Sequence, residues 1–275
     1  MTDVMPVGVE ADAERGHGPD ATDDDARLTV EGHAVTIIAA VHDDRSVFAS
    51  LFRWAGAILF FASLAYFFFT YLTTFGAAVT GALSVSTMTW NVALFTIFAL
   101  HHSVFARTGI RRWVNRTFPD LERSIYVWVA SALFVAVCAL WRPVPGVAWS
   151  VNGPAAWGLW ALQAGGVWLS LWSAKALDVR SLAGLSSAAT GNGGTIEFKT
   201  SGPYGWVRHP IYSGWFLMVL PTPVMTTTRL VFAVVSCAYL LVAIPLEERT
   251  MRGSPDGGYD RYMRKVRWRL IPGVY

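Results

Sequence analysis

The sequence predicts an all-α integral membrane protein with about six transmembrane helices, the last two a short hairpin, and both termini cytoplasmic. Three observations lead there. Hydrophobic residues make up 53% of the 275 residues, mean hydropathy is +0.40, and only 15% of residues are charged, against about a quarter in a soluble domain. The apolar residues fall in blocks of roughly 20, the length that crosses a bilayer. Lys and Arg alternate between crowded and nearly empty connecting segments, and that bias sets orientation.

Taken in order, residues 1–45 come first as an acidic tail. Residues 1–53 hold 11 acidic and 4 basic residues, leaving 18 basic and 8 acidic in the rest of the chain. The tail is polar and poor in aromatics, which predicts disorder. It has no basic stretch leading directly into an apolar one, so it is not read as a signal peptide. Residues 46–275 then form a single membrane domain. Its expected spans are Trp54–Phe75, Thr87–Ala106, Ser124–Trp141 and the Trp-rich Pro154–Ala174. Residues 206–245 are too long for one span and are broken by "PTPVMTTT", where Pro221 and Pro223 stop a helix. Two short spans, about Trp206–Leu220 and Thr228–Pro245, joined by a tight turn, account for them.

The loop 107–123 carries Arg107, Arg111, Arg112, Arg116 and Arg123, and the segment 175–210 carries Lys175, Arg180, Lys199 and Arg208. Residues 246–275 carry seven basic residues, whereas the alternate loops offer none, Arg142 and Arg229. The basic segments and both termini therefore face the cytoplasm.

Polar residues gather beside the spans in three places. "LHHSVFAR" (100–107) pairs His101 with His102, which point about 100° apart on a helix and do not share a metal easily; one of them is expected in a polar pocket. "GPYGWVRHPIY" (202–212) opens with a Gly-Pro turn. It then places Pro210 where a helix starts, so the helix N-terminus and Arg208 suit a carboxylate or another electron-rich group. Tyr204 and Tyr212 offer flat faces for a sulfonium or a purine. "IPLEERTM" (244–251) sets Glu247 and Glu248 at the end of an apolar run, where an ionised carboxylate needs a partner or a function.

Other chemistries lack their signatures. No GxGxxG follows a strand and no GxxxxGKS/T occurs. Cys138 and Cys237 have no metal spacing and are expected to be small buried hydrophobes, and no metal site is expected. The basic "DRYMRKVRWRLIP" (260–272) interleaves Tyr262, Val266, Trp268, Leu270 and Ile271, which fits a segment lying on anionic headgroups better than one gripping nucleic acid. The expected partners are the lipid bilayer and a small substrate, without nucleic acid.

"TSGPYGWVRHPIYSGWF", then "EER", then "YDRYMRKVRWRLIP" resembles the isoprenylcysteine carboxyl methyltransferase superfamily. Further upstream, "LHHSVFARTGIRRWV", "ERSIYVWVASA" and "LWRPVPGVAW", together with "PTPVMT", resemble its methanethiol S-methyltransferase and NnrU-like branch. The resemblance covers about 90–275. It implies a methyltransferase using S-adenosyl-L-methionine, bound mainly by residues 175–275 at the cytoplasmic membrane face, with a small thiol or a lipophilic compound as methyl acceptor. By position it implies cofactor binding by Ile196, Glu197, Phe198, Lys199, Tyr204, His209, Pro210, Ile211, Tyr212 and Glu247. Arg208 and Glu248 are expected nearest the transferring methyl, with His102 and Arg107 toward the substrate. Prenylcysteine-type members have an arginine where this chain has Ala243, which points away from carboxyl methylation. The thiol-methylating branch has an aspartate where this chain has Thr250, which keeps open an NnrU-like accessory protein without catalysis. A six-span transporter would need an inverted repeat, and none is evident.

Overall fold

The computed structural model describes residues 21–105, 108–118, 121–177, 179–185, 200–253 and 258–275, without the side chains of 21–46, 104, 105, 108–112 and 181. The chain is mostly helical. In order come α1 (Ala21–Leu72), α2 (Val85–Phe105), α3 (Thr108–Thr117), α4 (Glu122–Leu140), strand β1 (Val147–Ser150), α5 (Pro154–Ala176), α6 (Val179–Leu182), α7 (Pro210–Val219), strand β2 (Val224–Thr226), α8 (Thr227–Arg252) and α9 (Gly258–Lys265). Among the described residues three helices are long and apolar enough to cross a membrane: Val47–Leu72 within α1, α4 and α8. The tail boundary expected at residue 45 falls within α1, and residues 1–20 lie outside the described ones.

Three expectations are corrected. The fold is not purely helical, because the stretch expected as a tight turn, "PTPVMT", ends in a short strand, Val224–Thr226. β2 pairs antiparallel with β1, matching Val147 to Thr226 and Ser150 to Val224. Pro221 and Pro223 disfavour helix here, and the following Val224 and Thr226 favour the pleated conformation. The Trp149 indole N–H also donates to the Thr222 carbonyl at 2.8 Å. Next, the expected short span Trp206–Leu220 is helical only over Pro210–Val219, starting at the proline that the sequence marks as a helix start, and residues 202–205 before it form a 3-10 turn. Finally, α8 does not stop at Pro245 but continues to Arg252 with the proline inside it. Glu247 and Glu248 are therefore helical residues, aimed by the helix and not by a loop.

Residues 51–275 form one compact unit. Its core is aromatic. Phe67 packs on Trp215, Phe134 and Phe232 at ring distances of 5.0, 5.5 and 5.5 Å, joining α1, α4, α7 and α8. Phe232 is completely buried; truncating such a residue to alanine costs about 3–5 kcal/mol. The α5–α7 contact is different in kind. A Cβ on Gly166 would lie 2.6 Å from the Gly214 carbonyl oxygen, so paired glycines let the two backbones touch, as small residues do between membrane helices.

Buried polar groups lock the end of the unit where α1 finishes. Arg229, 4% exposed, donates from its guanidinium to the carbonyls of Tyr71, Leu72 and Val224 and to the Thr222 hydroxyl. It thereby satisfies the last carbonyls of α1, which a helix end leaves open. The Thr226 hydroxyl caps α8 by accepting from the Arg229 N–H, and itself donates to the Phe75 carbonyl. Asn91 fastens α2 to the chain leaving α4 through paired hydrogen bonds with the Arg142 backbone, 2.8 and 2.9 Å. Cys138 and Cys237 are buried and free.

Candidate active site

The site forms at the opposite end, where the start of α7, the end of α8 and the C-terminal segment meet. Gly202 takes a positive φ of 61°, which opens the turn before α7. A Cβ on Gly205 would lie 2.6 Å from the Thr200 carbonyl, so the turn closes tightly only with glycine there. The chain then runs extended through Arg208 and His209, whose N–H groups donate to the carbonyls of Trp268 and Arg269, both at 2.9 Å. Pro210 begins α7 where its missing N–H costs nothing. The N–H groups of Tyr212 and Ser213 both turn back to the His209 carbonyl. The exposed fan of N–H groups expected here is thus largely used, and Ile211 keeps the one N–H of the first turn that has no partner among the described residues.

Glu248 is the centre of a buried charge cluster. Its side chain is 2% exposed and that of Arg208 is 7% exposed. The carboxylate accepts from Arg208 Nε at 2.8 Å and from Arg269 Nε and Nη2 at 3.1 and 3.0 Å. Arg208 spends Nη1 on the carbonyls of Val266 and Arg267, at 3.0 and 2.6 Å. The Ser213 hydroxyl donates to the Leu270 carbonyl, and the Tyr262 hydroxyl to that of Tyr204. Burial pushes the Tyr262 hydroxyl up to about 12, so it remains a donor. Arg208 and Glu248, expected beside the reacting methyl, are therefore committed to clamping residues 262–270 against α7 and α8.

Glu247, one residue on, points elsewhere. Its side chain is 40% exposed, and it accepts from the Tyr212 hydroxyl at 2.6 Å. The His209 ring stacks on the Tyr212 ring at 5.4 Å, nearly parallel, with Nδ1 3.8 Å from Glu247 and Nε2 3.4 Å from Glu248. Burial holds the His209 imidazole below its ordinary pKa, and the neighbouring Glu248 carboxylate opposes this without overcoming it. At neutral pH the ring is uncharged, so its contacts with the two glutamates are hydrogen-bond and dipole contacts, not ion pairs. Tyr204 sits at the turn with its hydroxyl pKa raised by burial.

Tyr212 has a second face. Its ring helps line an apolar, partly open cavity of about 290 Å³ between α1, α2, α4, α7 and α8, with Ile211, Trp215 and His102 also in the wall. The His102 Nδ1 is 2.6 Å from the Tyr126 hydroxyl, and the Ser103 and Tyr239 hydroxyls meet at 2.7 Å.

The structure thus gathers Tyr204, Arg208, His209, Pro210, Ile211, Tyr212, Glu247 and Glu248 at one end and brings His102 to the cavity beside them. Ile196, Glu197, Phe198, Lys199 and Arg107 lie outside the described residues. Arg269, Tyr126 and Tyr239 are not among the site residues that the sequence singles out. Tyr262, Val266 and Leu270 of the basic C-terminal motif, expected on anionic headgroups, are instead buried within the protein, and Arg269 of the same motif joins the charge cluster. Among the described residues no three His, Cys, Asp or Glu side chains come together to hold a metal.

Residues 193–252 match the isoprenylcysteine carboxyl methyltransferase (ICMT) family. The chain is 35% identical over 190 residues to methanethiol S-methyltransferase 2 of Bradyrhizobium diazoefficiens, covering 67% of this chain and 73% of that protein. It is 36% identical over 182 residues to the methanethiol S-methyltransferase of Mycobacterium tuberculosis, covering 64% and 75%. Nurim of Sus scrofa is 26% identical over 179 residues, covering 60% and 68%. Helices apolar enough to cross a membrane, together with the match to the ICMT family and to relatives named methyltransferases, support a membrane methyltransferase by class. The chain belongs to the isoprenylcysteine carboxyl methyltransferase family, on the side of the relatives named methanethiol S-methyltransferase.

Proposed function

We propose that the protein is an integral-membrane methyltransferase that uses S-adenosyl-L-methionine to methylate a small thiol or a lipophilic acceptor at the cytoplasmic membrane face. The observation that carries this is the double role of Tyr212. Its hydroxyl is bound to the half-exposed Glu247 while its ring lines the apolar cavity. One residue is thus shared between a polar site fit for a charged cofactor and an apolar site fit for an acceptor.

The residues present suit that cofactor. Glu247 offers a carboxylate to an ammonium group or a ribose, and the stacked His209 and Tyr212 rings offer π-faces to a sulfonium or an adenine. The Ile211 N–H is free for a carboxylate. Tyr204 and residues 196–199 complete the proposed site. S-adenosyl-L-methionine supplies, when bound, a methyl group on a sulfonium. Transfer from a sulfonium destroys charge, so the protein's tasks are alignment and exclusion of water. The apolar cavity wall excludes water. Arg208 and Glu248 act as positioning residues, holding the C-terminal segment over the start of α7.

Topology belongs to the same proposal. Six spans are assigned to α1 from Val47, α2, α4, α5, α7 with the strand after it, and α8. His209 meets Glu248, and Thr222 meets Arg229, nineteen residues earlier on α8. That separation is roughly 28 Å at 1.5 Å per residue, about one hydrocarbon thickness. Residues 210–222 therefore traverse the depth that α8 does, as a short hairpin with it. The Lys and Arg bias of the connecting segments supports a site at the cytoplasmic membrane face and both termini on that side. Residues 46–275 form the methyltransferase domain, and 175–275 its cofactor half.

A second assignment, an NnrU-like accessory protein without catalysis, draws on Thr250 and on the match to nurim, a name that states no reaction. Calorimetric titration of detergent-purified protein with S-adenosylhomocysteine separates the two. Saturable binding, weakened by Glu247→Ala and His209→Ala, supports the enzyme; no binding at millimolar concentration removes it.

A further inference from the structure

The cavity is larger than a one-carbon thiol needs. A cavity of roughly 150 Å³ holds benzene, and this one is about 290 Å³. Its wall is apolar apart from a few groups, and two of those have polar atoms without partners. Ser131 is 3% exposed, lines the cavity, and its hydroxyl has no hydrogen-bond partner among the described residues. His102 commits Nδ1 to Tyr126, and its Nε2 has no partner among the described residues. A buried hydroxyl without a partner, as on Ser131, is uncommon in native interiors and calls for an explanation such as a ligand.

We infer that this cavity is the acceptor site, that it takes hydrophobic thiols up to about the size of benzenethiol or hexanethiol, and that His102 Nε2 receives the thiol proton. The inference rests on the methyltransferase assignment above and adds the substrate class and the proton acceptor. An alkanethiol is almost wholly protonated at neutral pH, and the thiolate is the nucleophile. In an apolar cavity a lone thiolate is costly, so the proton must pass to a neighbour as the sulfur attacks. The role requires the His102 tautomer whose Nδ1–H is donated to the Tyr126 oxygen, which leaves the other ring nitrogen as an acceptor.

The step balances. The S–H proton moves to Nε2, the sulfur electron pair forms the new S–C bond, and the methyl–sulfur bond of the sulfonium donor breaks with its pair left on the donor sulfur. The positive charge passes from the sulfonium to the imidazolium, which then releases the proton to solvent. The titratable groups around His102 are His101, Tyr126 with Arg123 beside it, Tyr212, Tyr239 and Glu247. The Tyr212 and Tyr239 hydroxyls are bound to Glu247 and Ser103, which leaves His102 as the proton acceptor in the cavity wall.

The test uses the full chain in detergent, as wild type, His102→Gln and Ser131→Leu, with S-adenosylhomocysteine affinity as the check on the cofactor half. Hexanethiol should bind wild type without donor, by calorimetry, and Ser131→Leu should weaken that binding about tenfold or more by overfilling the site. His102→Gln should slow methylation of hexanethiol about 100-fold or more, the scale of general base catalysis, but slow benzenethiol, which ionises near neutrality unaided, less than about threefold. Equal slowing of both thiols, or slowing of neither, overturns the role of His102. Hexanethiol binding that Ser131→Leu leaves unchanged overturns the cavity assignment. If wild type binds S-adenosylhomocysteine and methylates no thiol, the thiol assignment and the role of His102 fall together while the cofactor assignment stands.

Discussion

Replacing Glu248 with alanine should loosen the C-terminal clamp before it touches the cavity. The substitution leaves Arg208, 7% exposed at its side chain, without its carboxylate, and releases Arg269 as well. Removing one partner of a buried ion pair costs about 3–5 kcal/mol. Arg208 keeps the carbonyls of Val266 and Arg267, and Arg269 is already 30% exposed at its side chain, so the lower end applies, about 3 kcal/mol. That corresponds to roughly 100-fold in a local opening equilibrium. The amides of Arg208 and His209, sealed by the Trp268 and Arg269 carbonyls, report that opening directly by hydrogen exchange. They should exchange about 100-fold faster in Glu248→Ala. Glu248→Gln, which keeps an acceptor oxygen, should show a smaller effect. Exchange within about threefold of wild type for both amides would refute the clamp.

Four further outcomes are expected. Glu247→Ala should weaken S-adenosylhomocysteine about tenfold or more, as loss of a charged hydrogen bond does, while leaving the Arg208 and His209 amides protected. Gly166→Val should lower thermal stability in detergent by about 1–3 kcal/mol through overpacking, whereas Gly165→Val, whose Cβ meets nothing within 4 Å, should not. Arg229→Lys should destabilise by about 1–3 kcal/mol by leaving buried carbonyls unpaired, read as a lower unfolding temperature. Burial lowers the His209 pKa, so the unfolded chain takes up its proton first as pH falls. Stability is then fully present above the ordinary histidine value of about 6.5 and declines toward the lower folded value; denaturation profiles of His209→Gln should be flatter over that window.

Much of the polar end was legible because it is local. "SGPYGWVRHPIY" contains its own turn, its helix-starting proline and its aromatic faces within twelve residues. The partnership of Glu248 with Arg269 was not legible, because twenty-one residues and a helix separate them and no periodicity links them. The separate duties of Glu247 and Glu248 were likewise hidden until α8 was seen to continue through Pro245, since only a helix sends adjacent glutamates in directions about 100° apart. "PTPVMT" misled for the opposite reason. Its prolines announce a break, yet its role as a strand depends on β1, more than seventy residues earlier. The cavity could not be read at all, because its wall takes one or a few residues from each of five helices.

The most direct measurement of the central claim is product analysis after membranes containing the protein are incubated with S-adenosyl-L-methionine labelled in its methyl group and a panel of thiols, prenylcysteines and lipids. The account predicts label in the methyl thioether of a hydrophobic thiol, lost in Glu247→Ala. Label in no acceptor, from protein that remains folded, would contradict it.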